Sequence, residues 1–263
     1  QYTVWVKLTS NVTASAYSMG MSFSMPIAFI NSSNLEVSYT NVTGLKLYIA
    51  GPITATLNVP PMKNTTQAML GLAVFMNKTA LGNYSLCIAV APSMLNLTNT
   101  AIPPGYTSAV SCYPISTFSN VPAYSREIMS YIIGNLTYVG NEAWNGQTAY
   151  CFATKEPVVV PLTNVLKTML PPSASSSLVN ATIKVNIMSL CLLKSGYTTY
   201  AQGNVAFSIT IQEPYGTTTV PFTMVINTSF TVYLINYSST FDTKSFNALL
   251  QNPYILPVTQ PTG

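Results

Sequence analysis

The chain has 263 residues, enough to bury a large core as one domain or two, yet only 10 Lys+Arg and 6 Asp+Glu, a net charge of +4 with no His. Ordinary soluble domains are roughly a quarter charged, so at 6% charged this surface must be hydrated by other groups. Without His, a Ser-His-Asp triad, a Cys-His pair and a His metal site are excluded, and the dispersed Lys residues form no basic nucleic-acid patch.

The opening QYTVWVKLTS alternates Tyr2, Val4, Val6 and Leu8 with Thr3, Trp5, Lys7 and Thr9, which predicts a β-strand at the very tip of the chain. The TSNVTASA stretch behind it is small and polar and reads as a leash from Thr9 to Ala16, leaving that strand without a local partner. In YSMGMSFSM, Tyr17, Met19, Met21, Phe23 and Met25 alternate with Ser and Gly, predicting one half-buried strand. Further strands are expected at LEVSY, GLKLYI, ATLNV, MLGLAVFM, YSLCIAVA and YTSAVSCY, punctuated by Gly, Pro, Asn and Ser. The longest uncharged run, Thr79 to Ser125, is broken by Pro, Asn, Ser and Thr, and holds no stretch of about 20 apolar residues that would span a membrane.

Around residues 121–134 the pattern changes to a short helix, with Ser125 as cap, Ile128, Tyr131 and Ile132 on one side, and Gly134 past its end. A hairpin follows, LTYVGNEAW and QTAYCFAT joined by Asn145-Gly146, whose residues tolerate the positive φ of a type I′ turn. PLTNVLKTML predicts a second short helix and PPSASSS a surface linker. Long strands return at ATIKVNIMSLCLLK, NVAFSITIQ and TVPFTMVINTSFTVYLINY. A last helix is expected in STFDTKSFNALLQ, capped by Ser239 or Thr240 and stopped by Asn252-Pro253, before the Pro-rich tail LPVTQPTG. The shift near residue 120 divides the chain into an N-terminal strand, 1–10, and two β-rich parts, 11–120 and 121–263, which can also form one continuous domain. The fold class expected is mostly β: an antiparallel β-sandwich of immunoglobulin-like or related type with two or three short helices.

The missing charge is replaced by 27 Ser, 33 Thr and 22 Asn. Eleven of those Asn head N-x-Ser/Thr sequons: Asn11, Asn31, Asn41, Asn64, Asn77, Asn83, Asn96, Asn135, Asn180, Asn227 and Asn236. Chance would give roughly half as many, so N-linked glycans are expected to hydrate the surface. Such a surface barely changes its charge as pH falls, which suits a very acidic exterior. The four cysteines lack the CxxC spacing of zinc sites and read as two disulfides, Cys87 with Cys112 and Cys151 with Cys191, each closing a loop of moderate length. Beginning on Gln1 rather than Met fits signal-peptide removal and an extracellular or cell-surface location. Six scattered acids, Glu36, Glu127, Glu142, Glu156, Glu213 and Asp242, single out no catalytic pair, so neither an enzyme nor a metal or other cofactor is expected.

An alternating N-terminal strand, a sequon-dense β-rich body and a near absence of charge resemble the thread filament proteins of thermoacidophilic archaea. The resemblance implies a surface filament, a homopolymer of this chain with other filaments or cells as further partners, in which the N-terminal strand of each subunit completes the β-sandwich of the next, as in donor-strand complementation. Tyr2, Val4, Val6 and Leu8 would then be inserted, Thr3, Trp5, Lys7 and Thr9 would point outward, and Trp5 could pack on the groove rim. A second likeness sets LTYVGNEAWNGQTAYCFATK and the later long strands beside curved LolA-like sheets, which hold an acyl chain on an apolar concave face. An S-layer or adhesin component and a two-carboxylate glycosidase are further alternatives.

Overall fold

The computed structural model describes residues 1–42, 44–59, 62–78, 83–95, 102–114, 129–170 and 172–256. The first half carries β1 (Tyr2–Ser18), β2 (Met21–Thr40), β3 (Lys46–Val59), β4 (Met62–Lys78), β5 (Tyr84–Val90) and β6 (Ser108–Pro114). The second half carries β7 (Leu136–Trp144), β8 (Gln147–Thr154), β9 (Val158–Pro161), β10 (Leu178–Leu193), β11 (Thr198–Tyr215), β12 (Thr218–Ser238) and β13 (Pro253–Ile255). Short helices punctuate them: α1 (Pro92–Leu95), α2 (residues 129–134), α3 (Thr163–Met169), α4 (Pro172–Ser177) and α5 (Thr243–Leu250).

The protein is mostly β, antiparallel apart from the β13–β6 pair, with few short helices. Within that class the strands are hydrogen-bonded as one continuous sheet. All thirteen strands join one sheet in the order β13-β6-β5-β4-β3-β2-β1-β12-β11-β10-β8-β7, with β9 on β10. The two halves of the chain are meanders, and β1 lies between them, paired along its length to β2 on one side and β12 on the other. The chain therefore crosses residue 10 in the middle of a strand.

Two expectations about this region are corrected. Thr9 to Ala16 is not a leash: it continues β1 as far as Ser18. Thr and Val fit a pleated surface, and with small Ser and Ala between them the stretch keeps its alternation, so low hydrophobicity hid a strand. Nor is YSMGMSFSM one strand, because Met19 (φ 51°) and Gly20 (φ 77°) form a two-residue turn that joins β1 to β2. The opening strand thus has a local hairpin partner.

Smaller differences have similar causes. PPSASSS is largely helical, as α4. The N-cap of α5 is Asp242, whose carboxylate accepts from the Ser245 N–H at 2.9 Å, rather than Ser239 or Thr240. The expected helix at 121–134 is present as α2 over 129–134, with Ser125 and Ile128 outside the described residues. The tail beyond residue 256 and the sequon at Asn96 also lie outside them. The Asn145-Gly146 hairpin has the turn expected, with φ of 46° and 76°.

Alternation gives the sheet two chemically distinct sides. On the helix face, one cross-strand row runs Thr3, Ser38, Tyr48, Ala73, Ala89 and Val110 from β1 to β6. Small Ala side chains in this row make room for α5, whose Phe246 is buried against Tyr48, Cys87 and Val110. Gly71 belongs to the same contact: an added Cβ would stand 2.8 Å from the Ala91 Cβ. On the cavity face, the next row runs Val4, Val37 and Ile49, beside a cluster of Val6, Leu35 and Leu234. Both expected disulfides form, Cys87–Cys112 and Cys151–Cys191, each between residues directly opposite on neighbouring strands.

Candidate functional site

The ladders of β1 shift register at Trp5/Val6 against β12 and at Val6/Leu8 and Val12/Thr13 against β2, but the extra residues stand on β12 and β2, so β1 keeps its alternation and its even-numbered side chains share the cavity face. Tyr2, Val4, Val6 and Leu8 line a cavity of about 810 Å³ on that face. Leu35 and Val37 of β2 and Phe230 and Val232 of β12 extend the lining on either side. Ile187 and Leu190 of β10, Ala201 of β11 and the turn at 195–198 bound it further. Among the described residues no charged side chain lines it. Tyr2, Val4, Val6 and Leu8 thus share the cavity side of β1, while Thr3, Trp5, Lys7 and Thr9 occupy the other face, where Thr3 is buried rather than outward.

One end of the cavity is collared by aromatic rings. Tyr2 packs against Tyr39 (centroids 5.5 Å apart) and edge-on against Tyr197 (6.1 Å), and Tyr197 stacks on Tyr237 at 4.2 Å. Trp144 follows at 5.8 Å from Tyr237, and its indole N–H donates to the Leu234 carbonyl at 3.2 Å. Of these rings Tyr2 and Tyr197 line the cavity itself, and Tyr39, Tyr237 and Trp144 pack behind them. Burial, then the neighbouring Tyr39 and Tyr197, push the Tyr2 hydroxyl above its ordinary pKa. Tyr197 and Tyr237 were missed as site residues, since nothing local marks them: the fold brings together positions from β1, β2, the β10–β11 turn and β12.

The helix face behind this cavity is polar and locked. Thr3 is 2% exposed, its hydroxyl lies 2.7 Å from that of Ser38, and it donates to the Thr240 carbonyl at 2.7 Å. Asp242 N–H donates to the Ser38 hydroxyl at 2.8 Å, and both Asp242 oxygens accept from Ser245. Beside it Glu36 has a buried Oε1 with no hydrogen bond among the described residues. Burial first, then the Asp242 carboxylate, push the Glu36 pKa up, opposed by the Trp5 indole. For Asp242 desolvation acts upward, but the hydroxyl and N–H of Ser245, with Glu36 and the Lys244 N–H, outweigh it and hold the carboxyl low.

The remaining acids are not brought together: Glu142, Glu156 and Glu213 are exposed, and Glu127 lies outside the described residues. Glu142 does approach Cys151 and Cys191, but those sulfurs are joined in a disulfide and offer no thiolate to a metal. Every sequon Asn within the described residues is exposed. Asn11, Asn31, Asn77, Asn180, Asn227 and Asn236 stand on the helix face of their strands, whereas Asn64 shares the cavity face with Leu57. Asn41, Asn83 and Asn135 lie between strands. No described helix is long and apolar enough to cross a membrane.

No family model matches the chain, and no curated protein matches it. Among solved structures it aligns with a DUF1329 family protein from Desulfovibrio piger at 11% identity, over 90% of this chain and 86% of that one, with a TM-score of 0.17. It also aligns with the Salmonella SPI-1 type III secretion injectisome secretin InvG at 10% identity, over 95% of this chain and 68% of that one, with a TM-score of 0.10. At such scores the backbones do not superpose.

Proposed function

We propose that this protein is an extracellular, N-glycosylated binder of an apolar ligand, an acyl chain or a similar single hydrocarbon chain, held on the cavity face of a curved LolA-like sheet. The observation that carries this reading is the cavity of about 810 Å³ lined by the Tyr2, Val4, Val6 and Leu8 row and, among the described residues, free of charged side chains. Its size falls in the range of small-molecule sites, and apolar walls with a few convergent hydroxyls suit a hydrocarbon chain with a polar end. Two disulfides fit the oxidising compartments where such carriers work. The test is a fluorescent fatty acid titrated into the native chain, into Ala201→Phe and into Val232→Phe, each of which fills the cavity. Submicromolar to micromolar binding by the native chain, weakened about tenfold in both filled variants at unchanged fold, is expected. Equal binding by all three would place the ligand elsewhere.

A second reading, the thread-like filament, is favoured by one feature. The N-terminal strand sits between β2 and β12 with its apolar row inward, which is the position a strand donated by a neighbouring copy would take. Exchange of one β1 for an identical one keeps both β1 ladders and opens only the Met19-Gly20 turn, so an open head-to-tail polymer can use the same groove.

A further inference from the structure

We propose that the β1–β2 hairpin tip is a membrane-contact element, through which the apolar ligand passes between a neutral lipid surface and the cavity. The inference rests on the ligand-binding reading above. It starts from the two hairpins that share one turn geometry. Asn145-Gly146 has φ of 46° and 76°, and Met19-Gly20 has 51° and 77°. The first uses the residues this turn favours; the second holds a Met in the left-handed region, where a side chain without a short polar group is strained. Met19 gains no packing in return, being 55% exposed. Strain retained at an exposed apolar position points to a role outside the fold.

The neighbours of Met19 extend that chemistry. Met21 is 72% exposed and Phe23 59%, both on the cavity face, since they pair with Ser18 and Ala16 of β1. Beside them Phe222 of β12 stands opposite Ser18. The tip is joined to the cavity by an unbroken small and apolar row on β1: Leu8 at the cavity, then Ser10, Val12, Ala14 and Ala16, spanning about 27 Å at about 3.4 Å per residue. Flanking rows on β12 and β11 add Ile226, Met224, Phe207 and Ile209 to the same face. Sequons Asn11, Asn31 and Asn227 lie on the opposite face, so glycans there would leave this path bare.

Charge identifies the partner. Residues 8–35 contain no charged side chain, and residues 205–230 contain only Glu213. A surface rich in phosphate or carboxylate finds no cation here, whereas exposed Met, Phe and Tyr17 match the boundary of a zwitterionic bilayer. None of Met19, Met21 and Phe23 lines the cavity, so docking and ligand affinity are separable.

The experiment compares the native chain, Met19→Asn, and the triple variant Met19→Asn/Met21→Gln/Phe23→Thr, which adds no sequon at the tip. It measures co-sedimentation with phosphatidylcholine vesicles, transfer of a fluorescent fatty acid from those vesicles, and binding of the same probe from solution. Expected results are vesicle binding and transfer reduced about tenfold in the triple variant, unchanged probe affinity from solution, and little salt dependence. Met19→Asn alone should raise the unfolding midpoint while weakening vesicle binding, opposite signs that a purely structural turn would not give. Vesicle binding equal in native and triple variant overturns the proposal. So does a native dimer that the triple variant abolishes, which would assign the tip to a second copy. If the native chain binds vesicles through the tip but takes no probe, the docking element stands and the ligand-binding reading fails.

Discussion

Thr3 and Val6 lie three residues apart on β1 and stand on opposite faces, one fixed by hydroxyls to Ser38 and Thr240, the other packed on Leu35 and Leu234. The alternation that assigns those faces was readable from QYTVWVKLTS alone, but the burial of Thr3 was not, because the loop that covers it comes from residues 239–242. The same long-range contact brings Glu36 and Asp242 together, two acids that looked scattered. Their shifts have opposite signs. The raised Glu36 pKa contributes stability that is fully present below its unfolded value and lost as pH rises through the folded one. The lowered Asp242 pKa contributes stability present above its unfolded value and lost as pH falls through the folded one. Trp5, Tyr48, Ser245 and the Lys244 N–H are the other groups that face this pair. Glu36→Gln is therefore expected to raise the unfolding midpoint near neutral pH, with the gain vanishing below about pH 4, where the unfolded carboxylate is itself protonated. Thermal unfolding across that range checks it; a gain of equal size at both ends would rule out titration of Glu36 as the cause.

At the level of elements, β1 decides how the chain is assembled. Its period-two pattern was legible, and so were the Asn145-Gly146 hairpin and both disulfides, since each depends on neighbours in sequence or on loops of moderate length. What could not be read was where β1 ends, because Thr9 to Ala16 has strand alternation but little hydrophobicity, and Met19 occupies a turn position that Asn or Gly usually marks. The consequence is testable by deleting residues 1–8. Loss of Val6 and Leu8 burial alone costs about 1.5–3 kcal/mol each, and two backbone ladders are lost with them. The truncated chain should be destabilised by at least about 3–6 kcal/mol, a large share of a typical domain's stability, and partly rescued by the free peptide QYTVWVKL. A truncated monomer as stable as the full chain would contradict pairing of β1 within its own molecule. Filaments formed by the full chain and absent from the truncated one would favour strand exchange between copies.

For the molecule as a whole, mostly-β character followed directly from alternating patterns over most of the length. The single sheet did not, because alternation tells that a strand has one apolar side and leaves open what covers it. Here the apolar side of β3 to β6 that meets α5 is the opposite of the one that lines the cavity, a division made only by the passage of β1 between the halves. This sheet keeps part of one face open, and residues 8–35, which carry no charged side chain, run along it to the β1–β2 tip. Native mass spectrometry of the full-length protein, purified without detergent and before and after extraction with organic solvent, tests the ligand-binding account most directly. The account predicts an apolar molecule carried by the native chain and lost from Ala201→Phe. A native chain that carries none, and takes up no fatty acid when one is supplied, would contradict it.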